Sequence, residues 1–389
     1  MSRIILLLVI SSILLISCEK NEEENDVIIT KSEITGAVQK GPFLNGTAID
    51  VYELGADITP TGKSFSSQIM DNSGLFELNN LSLISQFIQI KANGYYFNEI
   101  TGGNSNSPIT LYALADITDK NSVNVNILSN LAKSRVEYLI QNEGKSFSEA
   151  NIQAKQEVLN IFSMQKNDII DFDILYISED GDDNAILLAI SLITQGYRSE
   201  SELSDLLANI NTDIRQDGVL NSSSLGSLLI NDARIFDLTA IRETLEGRYQ
   251  DLGITAIIPD FETYINTFVD STLYEITNNI IYPEFSNYGE NILYEDKVSF
   301  GSDLSLAAEL PNGTSLKIVI KGGLWFYRVE PNGPVNWTIS GYYNEEQTFV
   351  ATESGTNCDL NISFEPGAHT IEYYENGSES PTRIKTFTN

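Results

Sequence analysis

One histidine, His369, and two cysteines, Cys18 and Cys358, are all that these 389 residues offer to zinc or nucleophilic chemistry. A catalytic zinc rests on three protein ligands, and histidine is the usual one. A Ser-His-Asp or Cys-His triad likewise needs an imidazole held beside its nucleophile. Both enzyme classes therefore lack parts, and no cofactor-binding motif stands in for them. Positive charge is also scarce: 23 Lys and Arg face 54 Asp and Glu, a formal charge of −31. A phosphate backbone is repelled by such a surface, which excludes a nucleic-acid partner. The absence of a basic stripe excludes electrostatic docking on an anionic leaflet. Apolar residues make up 42% of the chain, enough to build a core.

The one long apolar run, Ile4–Ile16, has thirteen residues. It is too short for a bilayer core, which takes about 20. Arg3 before it and small residues after it give residues 1–17 the form of an export signal. The junction Leu15-Ile16-Ser17-Cys18 resembles the bacterial lipobox, in which the cysteine is acylated and becomes the first mature residue. That resemblance implies a covalent lipid on Cys18, and two acyl chains anchor stably at about 0.8 kcal/mol per buried methylene. It also rules out a Cys18–Cys358 disulfide, leaving Cys358 as a lone thiol. Residues 18–32 are expected to form an acidic, solvated tether. Lys20 with Glu22, Glu23 and Glu24 resembles the acidic export signal of Bacteroidota lipoproteins, which implies display on the outer face of the outer membrane.

Beyond the tether the patterning changes twice. From 33 to 119 short β-rich runs alternate with Gly, Asn, Asp and Pro, as in the apolar–polar alternation of TAIDVYEL. GAVQKGPFLNGTAIDVYEL followed by DNSGLFEL, with Gly36, Gly46 and the Asp71-x-x-Gly74-x-Phe76 turn, resembles the carboxypeptidase regulatory domain. The resemblance implies a transthyretin-like β-sandwich that serves as an accessory module without catalysis of its own. From 120 to 272 the period becomes helical: Leu128, Ala132, Val136 and Leu139 share a face, as do Ala150, Ala154, Val158 and Ile161. Ser146 with Glu149 and Ser199 with Glu202 read as capping boxes, and residues 184–196 as a central buried helix. Further helices are expected over 202–216, 238–252 and 260–268. YYFNEITGG, then NVNILSNLAKSRVEYLI, then AKQEVLNIF is similar to bacterial surface lipoproteins in which a transthyretin-like module precedes a helical domain. From 273 to 389, turns such as Asn312-Gly313, Asn332-Gly333, Pro366-Gly367 and Asn376-Gly377 separate alternating runs, the spacing of an Ig-like β-sandwich. The expected fold is thus β, then all-α, then β.

Four features invite chemistry. His369-x-x-Glu372 matches the zinc-ligand pair of metallocarboxypeptidases, but a second histidine is missing and the stretch reads as a strand, so His369 is expected on a strand surface. Asp180, Asp182 and Asp183, close after Asp171 and Asp173, could give calcium several oxygens. The competing role is capping of the helix that follows by Asp182 or Asp183, and it is preferred. Asp270-Ser271-Thr272 resembles the Bacteroidota O-glycosylation sequon, which implies a sugar on Ser271. The aromatic clusters Tyr95-Tyr96-Phe97, Trp325-Phe326-Tyr327, Tyr342-Tyr343 and Tyr373-Tyr374 should each split between core and surface, because adjacent strand residues point to opposite faces. The sequence therefore reads as an outer-membrane-anchored, surface-exposed, non-enzymatic binding or adhesion module for a glycan or protein partner. Two alternatives stand beside that reading: a carboxylate-based polysaccharide hydrolase, and a structural envelope subunit.

Overall fold

The computed structural model describes residues 29–277 apart from Ile235, and beyond them eight strands between 284 and 388 with the short segment 378–381. Cys18, Lys20, Glu22, Glu23 and Glu24 lie outside the described residues, as do the four turns expected after residue 311.

The N-terminal part is a β-sandwich-like pair of sheets. Strands β1 (Ile29–Gln39), β4 (Leu75–Leu83) and β9 (Val125–Asn126) form one sheet in the order β4-β1-β9. The second holds β2 (Ala48–Leu54), β3 (Pro60–Gln68), β5 (Phe87–Gly94) and β8 (Ile109–Asp116) in the order β3-β2-β5-β8. A two-residue pair, β6 (Phe97–Asn98) with β7 (Gly103–Asn104), follows β5 in the chain. The alternation in the sequence becomes burial: Ile49 and Val51 on β2, Ile88 and Ile90 on β5, and Leu111 and Ala113 on β8 are solvent-free. β1 begins earlier than expected, because the polar run Ile29–Glu33 pairs antiparallel with Leu83–Asn79 and so takes the end of the predicted tether into the sheet.

Two glycines of the regulatory-domain pattern have physical reasons to be there. Gly74 adopts φ +82°, and a side chain there would meet the Val38 carbonyl at 2.7 Å. At Gly36 a Cβ would sit 2.0 Å from the Val123 carbonyl oxygen and 2.6 Å from the Phe76 ring, so β1 can lie against both only without a side chain. Gly36→Val is expected to destabilise the protein by about 3 kcal/mol or more through overpacking. A thermal melt within about a degree of wild type would contradict that close approach.

Among the described residues seven α-helices follow: α1 (Ile127–Glu143), α2 (Phe147–Ile161), α3 (Asp182–Gln195), α4 (Glu200–Asp213), α5 (Ser223–Ala233), α6 (Leu238–Asp251) and α7 (Phe261–Ser271). The boxes at Ser146–Glu149 and Ser199–Glu202 form as read from the sequence, and Asn126 with Ser129 makes a third at the start of α1. Helix α3 is apolar nearly all round, with Ala185 to Gln195 buried throughout, which makes it the axis of the region. The expectation that Asp182 or Asp183 caps it is corrected. The N-cap is Gly181 at φ +119° with no side-chain bond, and the two aspartates occupy the first turn, where they complement the dipole.

The sandwich and the helices share one continuous hydrophobic cluster, running from Ile34 in β1 to Phe268 in α7. No helix among the described residues is long and apolar enough to cross a membrane. Beyond the helices, β10 (Glu284–Tyr294), β11 (Lys297–Leu306), β13 (Leu324–Pro331) and β15 (Cys358–Phe364) form a sheet in the order β10-β11-β15-β13. A second sheet takes the order β14-β12-β16-β17 from β12 (Ser315–Lys321), β14 (Gln347–Val350), β16 (Ala368–Glu375) and β17 (Arg383–Thr388).

Candidate functional site

Two places in the described structure depart from ordinary packing. The first is a buried polar cluster where the sandwich meets the helices. Lys40 follows β1 and Glu99 follows β6; both side chains are wholly buried, and Nζ lies 2.5 Å from Oε2. Helix α3 closes over them. The Ser191 hydroxyl donates to the Lys40 carbonyl at 3.0 Å and to the other Glu99 oxygen at 3.3 Å. Tyr96, beneath Lys40 at 5.4 Å from ring centroid to Nζ, donates its hydroxyl to Gln195 Oε1 at 2.8 Å. From the far side Arg248 on α6 lays its guanidinium 4.8 Å from the Phe97 ring centroid. Burial first, then the opposing partner, sets the protonation of the pair: the Lys40 amine is lowered and the Glu99 carboxyl raised. QKGPF and YYFNE are therefore the residues by which the sandwich grips α3.

Burial also pushes four tyrosines above the ordinary phenol range, Tyr264 among them. Tyr96 and Tyr249 rise furthest, and Tyr274, whose hydroxyl donates to the Ile161 carbonyl at 2.9 Å, rises to about 12. A folded-state value above the unfolded one means that the stabilisation is complete below about pH 10 and lost as pH climbs through the folded value. Ultraviolet titration is expected to show Tyr96, Tyr249 and Tyr274 ionising late, with alkaline unfolding. A single smooth transition of all the tyrosines would contradict their burial.

The second place is an open cleft of about 940 Å³ on the flank of the sandwich. Its walls are two edge strands: Ser66, Ser67 and Gln68 on β3, and Leu75, Phe76 and Glu77 on β4, with Met70 from the loop that joins them. In the sheet order β3 borders β2 alone and β4 borders β1 alone. The Ser67 hydroxyl donates to the Glu77 carbonyl at 2.7 Å, stitching one edge to the other. Tyr176, from the loop before α3, supplies an aromatic wall. Met70 is 71% and Leu75 55% exposed, so apolar surface is offered to solvent at the mouth. Thr35 and Gly36 of β1 complete the lining with the serines and glutamine, and Glu77 is the one charged side chain in it.

The residues singled out in the sequence fall elsewhere. Asp183 pairs with Lys166 at 2.5 Å and accepts the Ile170 amide at 3.1 Å, while Asp180 accepts from its neighbour Gly181. Asp171 and Asp173 are bridged by Lys120 at 2.9 and 2.8 Å, and Lys155 takes the other oxygen of Asp171 at 2.8 Å. Those two carboxylates are thus held by ammonium groups. Among the described residues no group of three or more His, Cys, Asp or Glu is arranged to hold a metal ion. Ser271 ends α7 and is exposed. His369 and Glu372 both lie on β16; the His369 side chain is outside the described residues, and Glu372 is taken by Lys321 and by the Tyr374 hydroxyl. Tyr95 is 48% exposed while Tyr96 is solvent-free, the split expected of neighbours. The side chains of Trp325, Phe326, Tyr327, Tyr342 and Tyr343 lie outside the described residues.

Carboxylates do converge in a groove beside α4 and α5, where Glu202, Asp205 and Asp232 approach. Glu202 is spent in the capping box of α4, and Asp232 is bound to Arg198 at 2.9 Å. Burial raises the Asp232 carboxyl against the pull of Arg198. Comparison with protein-family models, with curated proteins and with solved structures finds no match.

Proposed function

We propose that this chain is a lipid-anchored binding protein of the bacterial outer surface, and that its ligand is an extended polypeptide seated in the cleft between β3 and β4. The observation that carries the reading is the pairing of two sheet edges with exposed Met70 and Leu75 around one open volume of about 940 Å³. Edge strands carry backbone donors and acceptors that an added strand can pair with, and flanking pockets then select alternate side chains. With Glu77 in the lining and a chain charge of −31, the favoured ligand is neutral or basic. The lipobox ending at Cys18 and the acid run Glu22-Glu23-Glu24 support the anchor and its display. The two four-stranded C-terminal sheets support an Ig-like module in series with the sandwich and helices.

The mature protein should be probed on arrays of peptides and of glycans, beside a Leu75→Glu variant. Wild type is expected to retain extended neutral or basic peptides, and the variant to lose them at least tenfold with its melting temperature unchanged. Retention of glycans only, or equal binding by both proteins, would overturn the assignment.

A further inference from the structure

Lys40 and Glu99 have few partners for two buried ions. An ammonium carries three donors. Among the described residues Lys40 Nζ has one hydrogen-bond acceptor, Glu99 Oε2 at 2.5 Å, and its remaining neighbour of note is the face of Tyr96. Neither side chain is open to solvent, both being 0% exposed. A buried ion pair is worth its desolvation only when its remaining protons and lone pairs are satisfied. An amide asks for less: it carries one N–H in place of three donors, and one carbonyl oxygen, for which the Ser191 hydroxyl lies 3.3 Å from Glu99 Oε1.

We propose that Lys40 and Glu99 are joined by an intramolecular isopeptide bond, making this pair a self-modification site that covalently ties the end of β1 to the segment after β6, beneath α3. The amine nitrogen attacks the Glu99 carboxyl carbon, and a C–N bond forms. The oxygen Oε1, held by Ser191, bears the charge of the tetrahedral adduct. The C–Oε2 bond then breaks, and Oε2 leaves as water with the carboxyl proton and one amine proton. The reaction is a condensation without oxidant, reductant or further reactant. Burial favours its reactive forms, since it lowers the Lys40 amine and raises the Glu99 carboxyl toward a neutral amine and a neutral acid. The solvent-free site opposes the reverse hydrolysis.

The test is a tryptic map of the full-length protein extracted from membranes and denatured before digestion. The bond predicts residues 32–63, uncut at Lys40, linked to residues 92–120, the pair lighter by one water than the two peptides summed. Recovery of 32–40, 41–63 and 92–120 as separate peptides alone would overturn the proposal. Lys40→Arg supplies no attacking amine and should abolish the linked species, whereas its persistence would assign the bond elsewhere. Ser191→Ala should slow formation on the order of 10²-fold in a pulse-chase of newly made protein; an unchanged rate would remove Ser191 from the step. The wild-type map decides the matter even if a variant fails to fold.

Discussion

Glu99→Ala is expected to destabilise the protein by about 3–5 kcal/mol, because it strands the Lys40 amine in a solvent-free site where the described residues offer it no other hydrogen-bond acceptor. For a unit of this size that is a fall of roughly 10 °C in melting temperature. A buried pair left unjoined contributes little relative to two apolar residues, so it is the loss of one partner that costs. Lys40→Met combined with Glu99→Leu removes both polar groups and should recover the part of the loss due to the stranded amine. A Glu99→Ala melt within about 1 kcal/mol of wild type would mean that water reaches the site. The effect should extend beyond the sandwich, since Ser191 and Gln195 tie the same cluster to α3, the most buried helix.

Cys18→Ser is expected to move the protein from the membrane fraction to the soluble fraction almost completely. On the proposed reading, acyl chains on Cys18 hold the mature protein to lipid. A chain of charge −31 is repelled by anionic headgroups, and the described helices include no span. Each buried methylene contributes about 0.8 kcal/mol, so two chains hold where one does not. Fractionation of cells followed by immunoblotting reads the outcome. A variant that still sediments with membranes would show a second attachment and remove Cys18 as the anchor.

How much of this could be read beforehand depends on the range of the interactions. Helix starts were legible because a capping box is local: Ser146 with Glu149 and Ser199 with Glu202 are spaced for their bonds in the sequence itself. Helix α5 was not legible. Its serines and Gly226 argue against a helix, yet Gly226 is required because the Tyr274 ring would lie 2.2 Å from a Cβ there, a contact made by a residue far along the chain. The start of β1 was missed for the related reason that polar residues 29–33 become strand only by pairing with β4. The Lys40–Glu99 pair was hidden because charged residues 59 positions apart read as surface. The one local hint is their setting, GAVQKGPF and YYFNEI, where apolar and aromatic neighbours leave little room for water. The cleft had no signal at all, since β3 and β4 belong to different sheets and their edges meet only in the fold.

The binding site itself is tested most directly by amide hydrogen exchange on the wild-type protein, with and without the peptide that the array retains. A strand added in the cleft should slow exchange at Ser66–Gln68 and Leu75–Glu77 while leaving the α4–α5 groove unchanged. Protection confined to α4 and α5, with the β3 and β4 edges exchanging as before, would contradict the account.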